Sequence, residues 1–368
     1  MHRWFSSILP LTQPTPTPPP SHGDHSDLTH CPLYGEIIRA EAELTALDED
    51  IAAEQNVPAA TLSGVEPEQT HPPVPEVAED LGLTLSSPIS LGRVLDAGTG
   101  PHSASFLHSL WSRQMVQIGV TLYPVAVSSV VGVTGTRWME AETLAAGKKK
   151  GGVSSGIPVV RGDWADPTSL RLIEPADTVI ADYLLGALDG VSPFFQAGLF
   201  PALRRVTRRR LHVIGLQPVH LTKARDSRAR LIQRLYDTRD ACILLGGKRP
   251  YREIPETRAV QLLGDAGFAV RRVRRIPSAY GHSYLIRQVK VGRDFLSDCP
   301  SEAARAGLGE TLDELEVQIR AERWDGFTFG FDYVIAADPI PGWKGSGEEG
   351  EKVEEEGEEK EGGDAEER

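Results

Sequence analysis

An acidic residue and two glycines lie close together in the segment VLDAGTG, residues 94–100. The apolar residues before Asp96 are typical of a buried strand, and a helical pattern follows Gly100. Gly98 and Gly100 allow the backbone to turn sharply and to approach a ligand with no Cβ atom in the way. The free N–H groups at the start of the helix would face the same ligand. The segment therefore predicts either a ligand-binding turn or a tight strand-to-helix turn that binds nothing.

Polar and aromatic residues follow three further apolar runs. Asp163 and Trp164 follow the apolar part of VVRGDWAD. Asp182 and Tyr183 follow that of DTVIADYL, and VVGVT ends in Thr134. In an open parallel sheet the carboxyl ends of the strands meet at one edge, where ligands bind. We therefore expect these side chains to lie near the glycine turn.

Apolar runs of strand length alternate with helical patterns between residues 89 and 341. This order is typical of a doubly wound α/β domain with a mostly parallel sheet and helices on both faces. The predicted strands span 92–97, 129–134, 157–161, 177–182, 210–217, 268–275 and 327–336. The predicted helices span 103–112, 137–146, 193–206, 224–240 and 256–266.

Local signals refine some of these boundaries. Ser192 is expected to cap the helix at 193–206. Gly267 is expected to end the helix at 256–266. The pair Tyr123-Pro124 marks a loop or an extra strand.

The spacing D-x-G-x-G separates two kinds of nucleotide site. Dinucleotide-binding domains carry G-x-G-x-x-G, in which the third glycine permits close packing of the helix on the strand. Ser103 stands at that place here. VLDAGTG instead resembles the first motif of class I S-adenosylmethionine-dependent methyltransferases, and the resemblance extends over about residues 90–340. It implies a seven-stranded sheet in which the last strand, FGFDYVIAA, is inserted antiparallel.

The resemblance implies a site for S-adenosylmethionine at the strand ends. In the family pattern Asp163 would meet the adenine amino group, with Trp164 beside the ring. Asp182 would face the methionine moiety and the substrate. Asp182 and Tyr183 are the candidate catalytic residues, and no metal is expected. The candidate cofactor-binding residues are Asp96, Ala97, Gly98, Thr99, Gly100, His102, Thr134, Asp163, Trp164 and Asp182.

Two positions depart from the family pattern. His102 replaces the third glycine of the first motif, where it narrows the approach or itself contacts the cofactor. Thr134 and Thr136 stand where the second strand should end in an acid that binds the ribose hydroxyls, and Glu140 lies a turn further on. Two hypotheses stay open: methyl transfer to an unidentified small molecule or protein side chain, and a non-catalytic module that keeps the fold and binds partner proteins.

Composition divides the 368 residues into four parts. Pro-rich segments and a run of Gly and Glu flank the periodic region, and neither composition can bury a core. The predicted parts are a disordered Pro-rich segment at 1–34, a helical extension and linker at 35–88, the α/β domain at 89–341, and an acidic disordered tail at 342–368.

The α/β domain carries an insert at 276–326 between its last two strands. The insert includes a predicted helix at 309–322, and Tyr280, His282 and Tyr284 near its start are candidate substrate contacts. Long inserts near strand ends commonly shape substrate sites. The identity of the acceptor is not fixed by any motif.

Charge is distributed unevenly along the chain. Residues 345–368 hold 12 acidic and 3 basic residues, whereas the other 344 residues hold 40 and 36. The near-neutral folded part gives no strong signal for nucleic-acid binding. The tail is expected to act as a solubilising segment or to bind a basic protein partner. Nine arginines in 204–210 and 271–275 either serve the structure or form a patch for an anionic substrate.

Further observations concern the class of protein and its cellular compartment. The three cysteines lie far apart, which disfavours a disulfide framework or a zinc site and favours a reducing, cytoplasmic location. No apolar run is long enough for a membrane span. The N-terminus MHRWFSSIL would also suit organellar targeting. GVSSG at 152–156 matches a hydrolase motif, but the strand follows it instead of preceding it.

Overall fold

The structure is a computed structural model. The predicted targeting segment, the Pro-rich link, GVSSG and the acidic tail beyond Trp343 lie outside the residues that it describes. Those described residues are 31–54, 84–143 apart from 114, 119, 138 and 142, and 157–343.

A nine-stranded, mostly parallel sheet forms the centre of the domain. Its order is β1-β4-β2-β6-β7-β9-β8, and β3 and β5 also pair with β4. Strand β9 is inserted between β7 and β8 and runs antiparallel to both. The strands are β1 Thr84–Leu85, β2 Ile89–Asp96, β3 Met115–Ile118, β4 Thr121–Thr134, β5 Val159–Arg161, β6 Ala176–Asp182, β7 Thr207–Leu216, β8 Phe268–Ala279 and β9 Thr328–Pro339.

The doubly wound α/β prediction is confirmed, including the antiparallel last strand. The predicted count of seven strands is too low because β1 and β3 add to the sheet. Tyr123 and Pro124 lie inside β4, where they pair with Val116 and Met115 of β3. The extra-strand interpretation of Tyr123-Pro124 is therefore correct. Proline is tolerated there because β4 pairs at this point with a short added strand.

Helices cover both faces of the sheet. One face packs against α1 and α2 through residues such as Ile37 and Phe106, and the other packs against α4, α5 and α7. The helices are α1 Pro32–Glu54, α2 Pro101–Arg113, α3 Pro167–Leu170, α4 Leu184–Val191, α5 Gln196–Val206, α6 Ser227–Leu245, α7 Glu256–Asp265, α8 His282–Leu296 and α9 Glu302–Ala321.

The structure shows where the two helices with predicted end signals, Gly267 and Ser192, begin and end. Gly267 follows α7 with a φ of 79°, a backbone conformation that glycine adopts without strain, as predicted. The predicted cap at Ser192 is wrong, because α5 begins only at Gln196. The Ser192 hydroxyl instead donates to Asp163 Oδ1 at 3.0 Å. A tertiary hydrogen bond thus replaces the local capping bond.

Helix α1 belongs to the main core. Cys31, Leu33 and Tyr34 are each no more than 2% exposed, and α1 begins at Pro32. The acid Glu41 is fully buried. A buried carboxylate costs free energy unless basic groups and hydrogen bonds compensate it.

Three basic residues of β7 supply that compensation. Glu41 Oε2 accepts from Arg209 Nη1 at 2.5 Å and from Arg210 Nη1 at 3.3 Å. Glu41 Oε1 lies 2.6 Å from His212 Nε2. Arg210 also donates from Nε to Asp338 Oδ1 at 2.7 Å. The positive charge around it lowers the pKa of Glu41 to about 2, against the opposing effect of burial.

The arginines of β8 meet further acids of α1. Arg271 pairs with Asp48, and Arg272 pairs with Glu36 and Glu43. Acids of the same chain therefore pair with the arginines at positions 209, 210, 271 and 272, which the sequence offered as part of an anionic-substrate patch. These contacts favour the structural interpretation of the four residues.

The insert is more helical than predicted. It contains α8 as well as α9, and the predicted helix at 309–322 is the second part of α9. Together with α6, these helices form a separate apolar cluster around Leu235, Leu285 and Leu312. This helical layer lies next to the carboxyl ends of the strands, since Leu216 at the end of β7 lines the same cavity as α6 and α8.

Candidate functional site

A cavity of about 270 Å³ opens at the carboxyl ends of β2, β4 and β5, and we call it the first cavity. Helix α4 and Tyr251 complete its walls. Residues that are distant in sequence meet here because parallel strands end at the same edge of the sheet. The predicted cofactor-binding residues that line it are Ala97, Gly98, Thr99, Thr134, Asp163 and Trp164.

The glycine turn is held by its own hydrogen bonds. The Gly98 amide donates to Asp96 Oδ1 at 3.3 Å, and the Thr99 amide donates to the Val133 carbonyl at 2.7 Å. A Cβ atom on Gly98 would lie 3.1 Å from Leu184 Cδ1. Gly98 thus permits a close approach of the turn to α4, in addition to its place on the cavity wall.

Gly100 and His102 lie beyond the lining of the first cavity. The Gly100 amide donates to Ser103 Oγ at 3.1 Å, and a Cβ atom on Gly100 would meet Met139 Sδ at an ordinary 3.7 Å. His102 lies in the first turn of α2, and its side chain is outside the described part of the structure.

Asp163 and Trp164 form one wall of the first cavity. Trp164 donates from Nε1 to the Ala97 carbonyl at 2.7 Å, which ties the end of β5 to the glycine turn. Asp163 Oδ1 accepts from the Ala165 amide at 2.9 Å and from the Ser192 hydroxyl at 3.0 Å. Among the described residues no donor contacts Asp163 Oδ2, so this oxygen can accept from a ligand.

The end of β4 supplies no acid to the first cavity. Thr134 is 4% exposed and lines the wall together with Thr136. Glu140 does not reach the lining, where Asp163 is the only carboxylate among the described residues. The acid that the family pattern places at the end of this strand is therefore missing from the described lining of the first cavity, as it is from the sequence.

Two acids, Asp96 and the partly exposed Asp182, lie at the strand ends outside the cavity lining. Asp96 is fully buried, and its Oδ2 atom has no hydrogen-bond partner among the described residues. Burial raises the pKa of Asp96. Asp182 Oδ2 accepts a hydrogen bond from the Tyr34 hydroxyl at 2.7 Å. Burial, with the nearby charges of Asp96 and Asp332, raises the pKa of Asp182 to about 7.

Tyr34 was missed by sequence reasoning, which placed it in the disordered segment. Its ring stacks on Phe106 of α2, with centroids 3.9 Å apart and planes 3° from parallel. The available signal was the run of Cys31, Leu33 and Tyr34 directly before the amphipathic pattern of α1.

The candidate catalytic residue Tyr183 takes part in a buried hydrogen-bonded group. Its backbone has a φ of 48°, and its hydroxyl donates to Asp332 Oδ1 at 2.6 Å. Ser278 donates to the other Asp332 oxygen at 2.8 Å. Neither Tyr183 nor Asp182 lines a cavity described here, so their role as substrate contacts stays a prediction.

The aromatic candidates in the insert belong to the helical layer. The hydroxyls of Tyr284 and Tyr236 lie 2.5 Å apart, and Tyr280 is 4% exposed. His282 is exposed at the first position of α8. Tyr236 also lines a larger cavity that sequence reasoning did not predict.

This second cavity has a volume of about 400 Å³ and lies beside the first. Arg249 and Tyr251 line both cavities. Helices α6 and α8 and the loop from Arg249 to Glu253 enclose most of it.

The raised pKa of Asp182 predicts that stability depends on pH. The folded chain keeps this carboxyl protonated up to about pH 7, whereas an unfolded aspartate loses its proton at about pH 4. The free energy of unfolding should therefore fall as the pH rises across that interval. Asp182→Asn keeps an acceptor for Tyr34 and should flatten this part of the profile. Urea unfolding at several pH values measures the effect, and equal slopes in both proteins contradict the assignment.

No group of three or more His, Cys, Asp or Glu side chains among the described residues is arranged to hold a metal ion. No described helix combines the length and the hydropathy needed to cross a membrane.

No protein-family model and no curated protein matches the sequence. Solved structures to which the chain is similar include the YcgJ protein of Bacillus subtilis, a magnesium protoporphyrin IX methyltransferase of Synechocystis PCC 6803 with bound S-adenosylhomocysteine, and a phosphoethanolamine N-methyltransferase of Haemonchus contortus. The respective identities are 14%, 16% and 13%, with TM-scores of 0.40, 0.35 and 0.34. The matches cover 72%, 72% and 68% of this chain and 97%, 78% and 49% of those structures. At these values they do not determine what this chain binds.

Proposed function

We propose that the chain transfers a methyl group from S-adenosylmethionine to an acceptor held next to it. The observation that carries the proposal is the lining of the first cavity. The family resemblance implies that residues 97–99, Thr134 and Asp163-Trp164 bind one ligand, and these residues line one cavity. The strand order, with β9 inserted antiparallel, supports the same family resemblance.

The residues present fit S-adenosylmethionine. Trp164, Leu188 and Val191 provide apolar surface for a flat ring, and Asp163 Oδ2 can accept from the adenine amino group. Asp96 Oδ2 is a buried acceptor without a partner, close beneath the glycine turn. When bound, this cofactor supplies a methyl group already activated by a sulfonium, so the protein needs no metal for this step.

The chain's own residues would bind and orient the cofactor and the acceptor, and they would exclude water from the site. The hydrogen bond from Trp164 to Ala97 fixes the wall to the turn. Tyr34, stacked on Phe106, covers the acids at the strand ends. Such positioning contributes to rate by holding the reacting atoms in line.

One observation favours the non-catalytic alternative. Thr134 and Thr136 occupy the wall where an acid would bind the ribose hydroxyls. Their hydroxyl groups can hydrogen-bond a ribose, but a neutral acceptor binds it less strongly than a carboxylate does. A module that keeps the fold and binds partner proteins is the function that would tolerate this change.

Asp163→Ala tests the adenine contact. We expect affinity for S-adenosylhomocysteine to fall by about 1–3 kcal/mol, the usual cost of removing one partner of a buried hydrogen bond. Ser192→Ala is the matched control, since it removes a hydrogen bond to Asp163 but keeps the carboxylate. Titration calorimetry measures both variants. Equal affinity in Asp163→Ala and the parent protein would argue against this contact.

A further inference from the structure

Two of the three carboxylates that line the second cavity are paired with arginines. Asp189 pairs with Arg249 at 3.1 Å, and Asp240 pairs with Arg239 at 2.6 Å. Glu253 is the remaining carboxylate of the described lining residues.

The Glu253 carboxylate lies in the interior of the protein. Its Oε2 atom is buried and has no hydrogen-bond partner among the described residues. Burial, together with the charge of Asp332, raises the pKa of Glu253 to about 8, while the Leu216 backbone and Arg239 act in the opposite direction. A buried carboxylate oxygen without a hydrogen-bond partner costs free energy, which is a reason to expect a ligand at Oε2.

The two arginines near Glu253 make their contacts with other groups. Arg239 donates from Nη1 to Gln288 at 2.7 Å and from Nε to Asp240 at 2.8 Å, and it lies over the Tyr236 ring. Arg252 is exposed, with its guanidinium 5.7 Å from the centroid of Phe194. Neither arginine forms an ion pair with Glu253 among the contacts of the described residues.

Glu253 also lies close to the first cavity. A Cβ atom on Gly186 of α4 would overlap the Glu253 carboxylate, so this glycine allows the carboxylate to lie directly against the helix. The Arg252 amide donates to the Gly186 carbonyl at 3.0 Å and holds the loop there. The next turn of α4, with Ala187 and Leu188, lines the first cavity. The Glu253 carboxylate therefore packs against the helix that also forms a wall of the first cavity.

We propose that the second cavity binds an apolar amine as the methyl acceptor and that the Glu253 carboxylate contacts its nitrogen. The inference depends on the proposed function for the methyl donor. The apolar part of the ligand would contact Leu216, Ile243 and Val291, together with the ring of Tyr251.

Charge distinguishes an amine from other acceptors. An ammonium supplies the opposite charge that Glu253 lacks, and a charge-assisted hydrogen bond is stronger than a neutral one. With its pKa raised to about 8 by burial, Glu253 is mostly protonated at neutral pH in the absence of a ligand. An ammonium favours the ionised carboxylate, whereas an alcohol supplies no charge to do so and a carboxylate ligand would repel it.

The transfer step balances with Glu253 as the proton acceptor. The ammonium first gives one proton to the Glu253 carboxylate, which leaves a neutral amine with a free electron pair. The nitrogen then forms a bond to the methyl carbon while the bond between that carbon and sulfur breaks, and sulfur keeps the electron pair. The product is a methylated ammonium and a neutral thioether. No oxidant or reductant takes part.

Binding of simple amines to the full chain tests the inference. The probes are phenethylamine, tryptamine and cyclohexylmethylamine, with phenethyl alcohol and hydrocinnamate as neutral and anionic counterparts. Thermal shift and calorimetry should show binding of at least one amine and not of its counterparts. Glu253→Gln should weaken amine binding about tenfold to a hundredfold, the loss expected for a hydrogen bond to a charged group. Gly186→Ala should weaken it as well, because the added Cβ displaces the carboxylate.

Glu310→Gln is the matched control, since Glu310 is exposed on α9 and outside both cavities. S-adenosylhomocysteine is titrated in parallel into the parent protein and Glu253→Gln. If it binds both equally but no amine distinguishes them, the amine site is wrong and the cofactor site stands. If amines bind through Glu253 and S-adenosylhomocysteine does not bind, the amine site stands and the proposed function fails.

Discussion

Glu41→Gln should destabilise the fold by about 3 kcal/mol, the lower end of the range for breaking a buried ion pair. The substitution keeps the size of the side chain but leaves Arg209, Arg210 and His212 without their central negative charge. The cost stays at the lower end because Arg210 retains Asp338 and Arg209 is partly exposed. Urea unfolding measures it. The same variant should lose the stability that the parent protein gains as the pH rises from about 2 to about 4.5, since the pKa of Glu41 is lowered to about 2.

Glu43→Gln is the matched control for this experiment. Glu43 lies on the same helix and pairs with Arg272, but its side chain is 60% exposed. Exposed ion pairs contribute little, so the change should be within about 0.5 kcal/mol. If the two variants are equally stable, α1 is not docked on β7 and β8 as described.

Gly98→Val should abolish binding of S-adenosylhomocysteine while the chain stays folded. The new Cβ would lie 3.1 Å from Leu184 Cδ1, and the two methyl groups of valine have only Leu184 or the first cavity to occupy. Either Leu184 moves into the cavity or the methyl groups fill it. In both cases the ligand loses its space.

Gly100→Ala separates this effect from a general need for glycine in the turn. Its Cβ would meet only Met139 Sδ at 3.7 Å, and Gly100 does not line the first cavity. Affinity should therefore be unchanged. Calorimetry and far-UV circular dichroism on both variants complete the test. Loss of binding in Gly100→Ala with retention in Gly98→Val would show that the ligand lies elsewhere along the turn.

The strands and their order of appearance were predictable because apolar runs and turn residues are local signals. All seven predicted strands are present, and Gly267 ends α7 as expected. The position of α1 was not predictable. Its pattern of Ile37 and Ile38 indicates a helix, but the basic partners of Glu41 lie 168 to 171 residues away. No local rule pairs residues at that distance.

The candidate site was likewise predictable only in part. The walls formed by Gly98 and Asp163 follow from motifs at strand ends, where topology brings them together. The second cavity depends on how α6 and α8 pack, and Glu253 lies in a loop without a motif. Helix α8 was missed although Leu285, Val289 and Leu296 recur in it at helical spacing. Tyr34 was missed because a Pro-rich composition precedes it.

Direct titration of S-adenosylmethionine and S-adenosylhomocysteine into the full chain tests the central claim most directly. The full chain is needed because α1 is part of the core and Tyr34 reaches the strand ends. NADH serves as the control for a dinucleotide site, which Ser103 disfavours. We expect micromolar binding of the two sulfur-containing ligands and none of NADH. A folded sample that binds neither of them would contradict it and would favour the non-catalytic module.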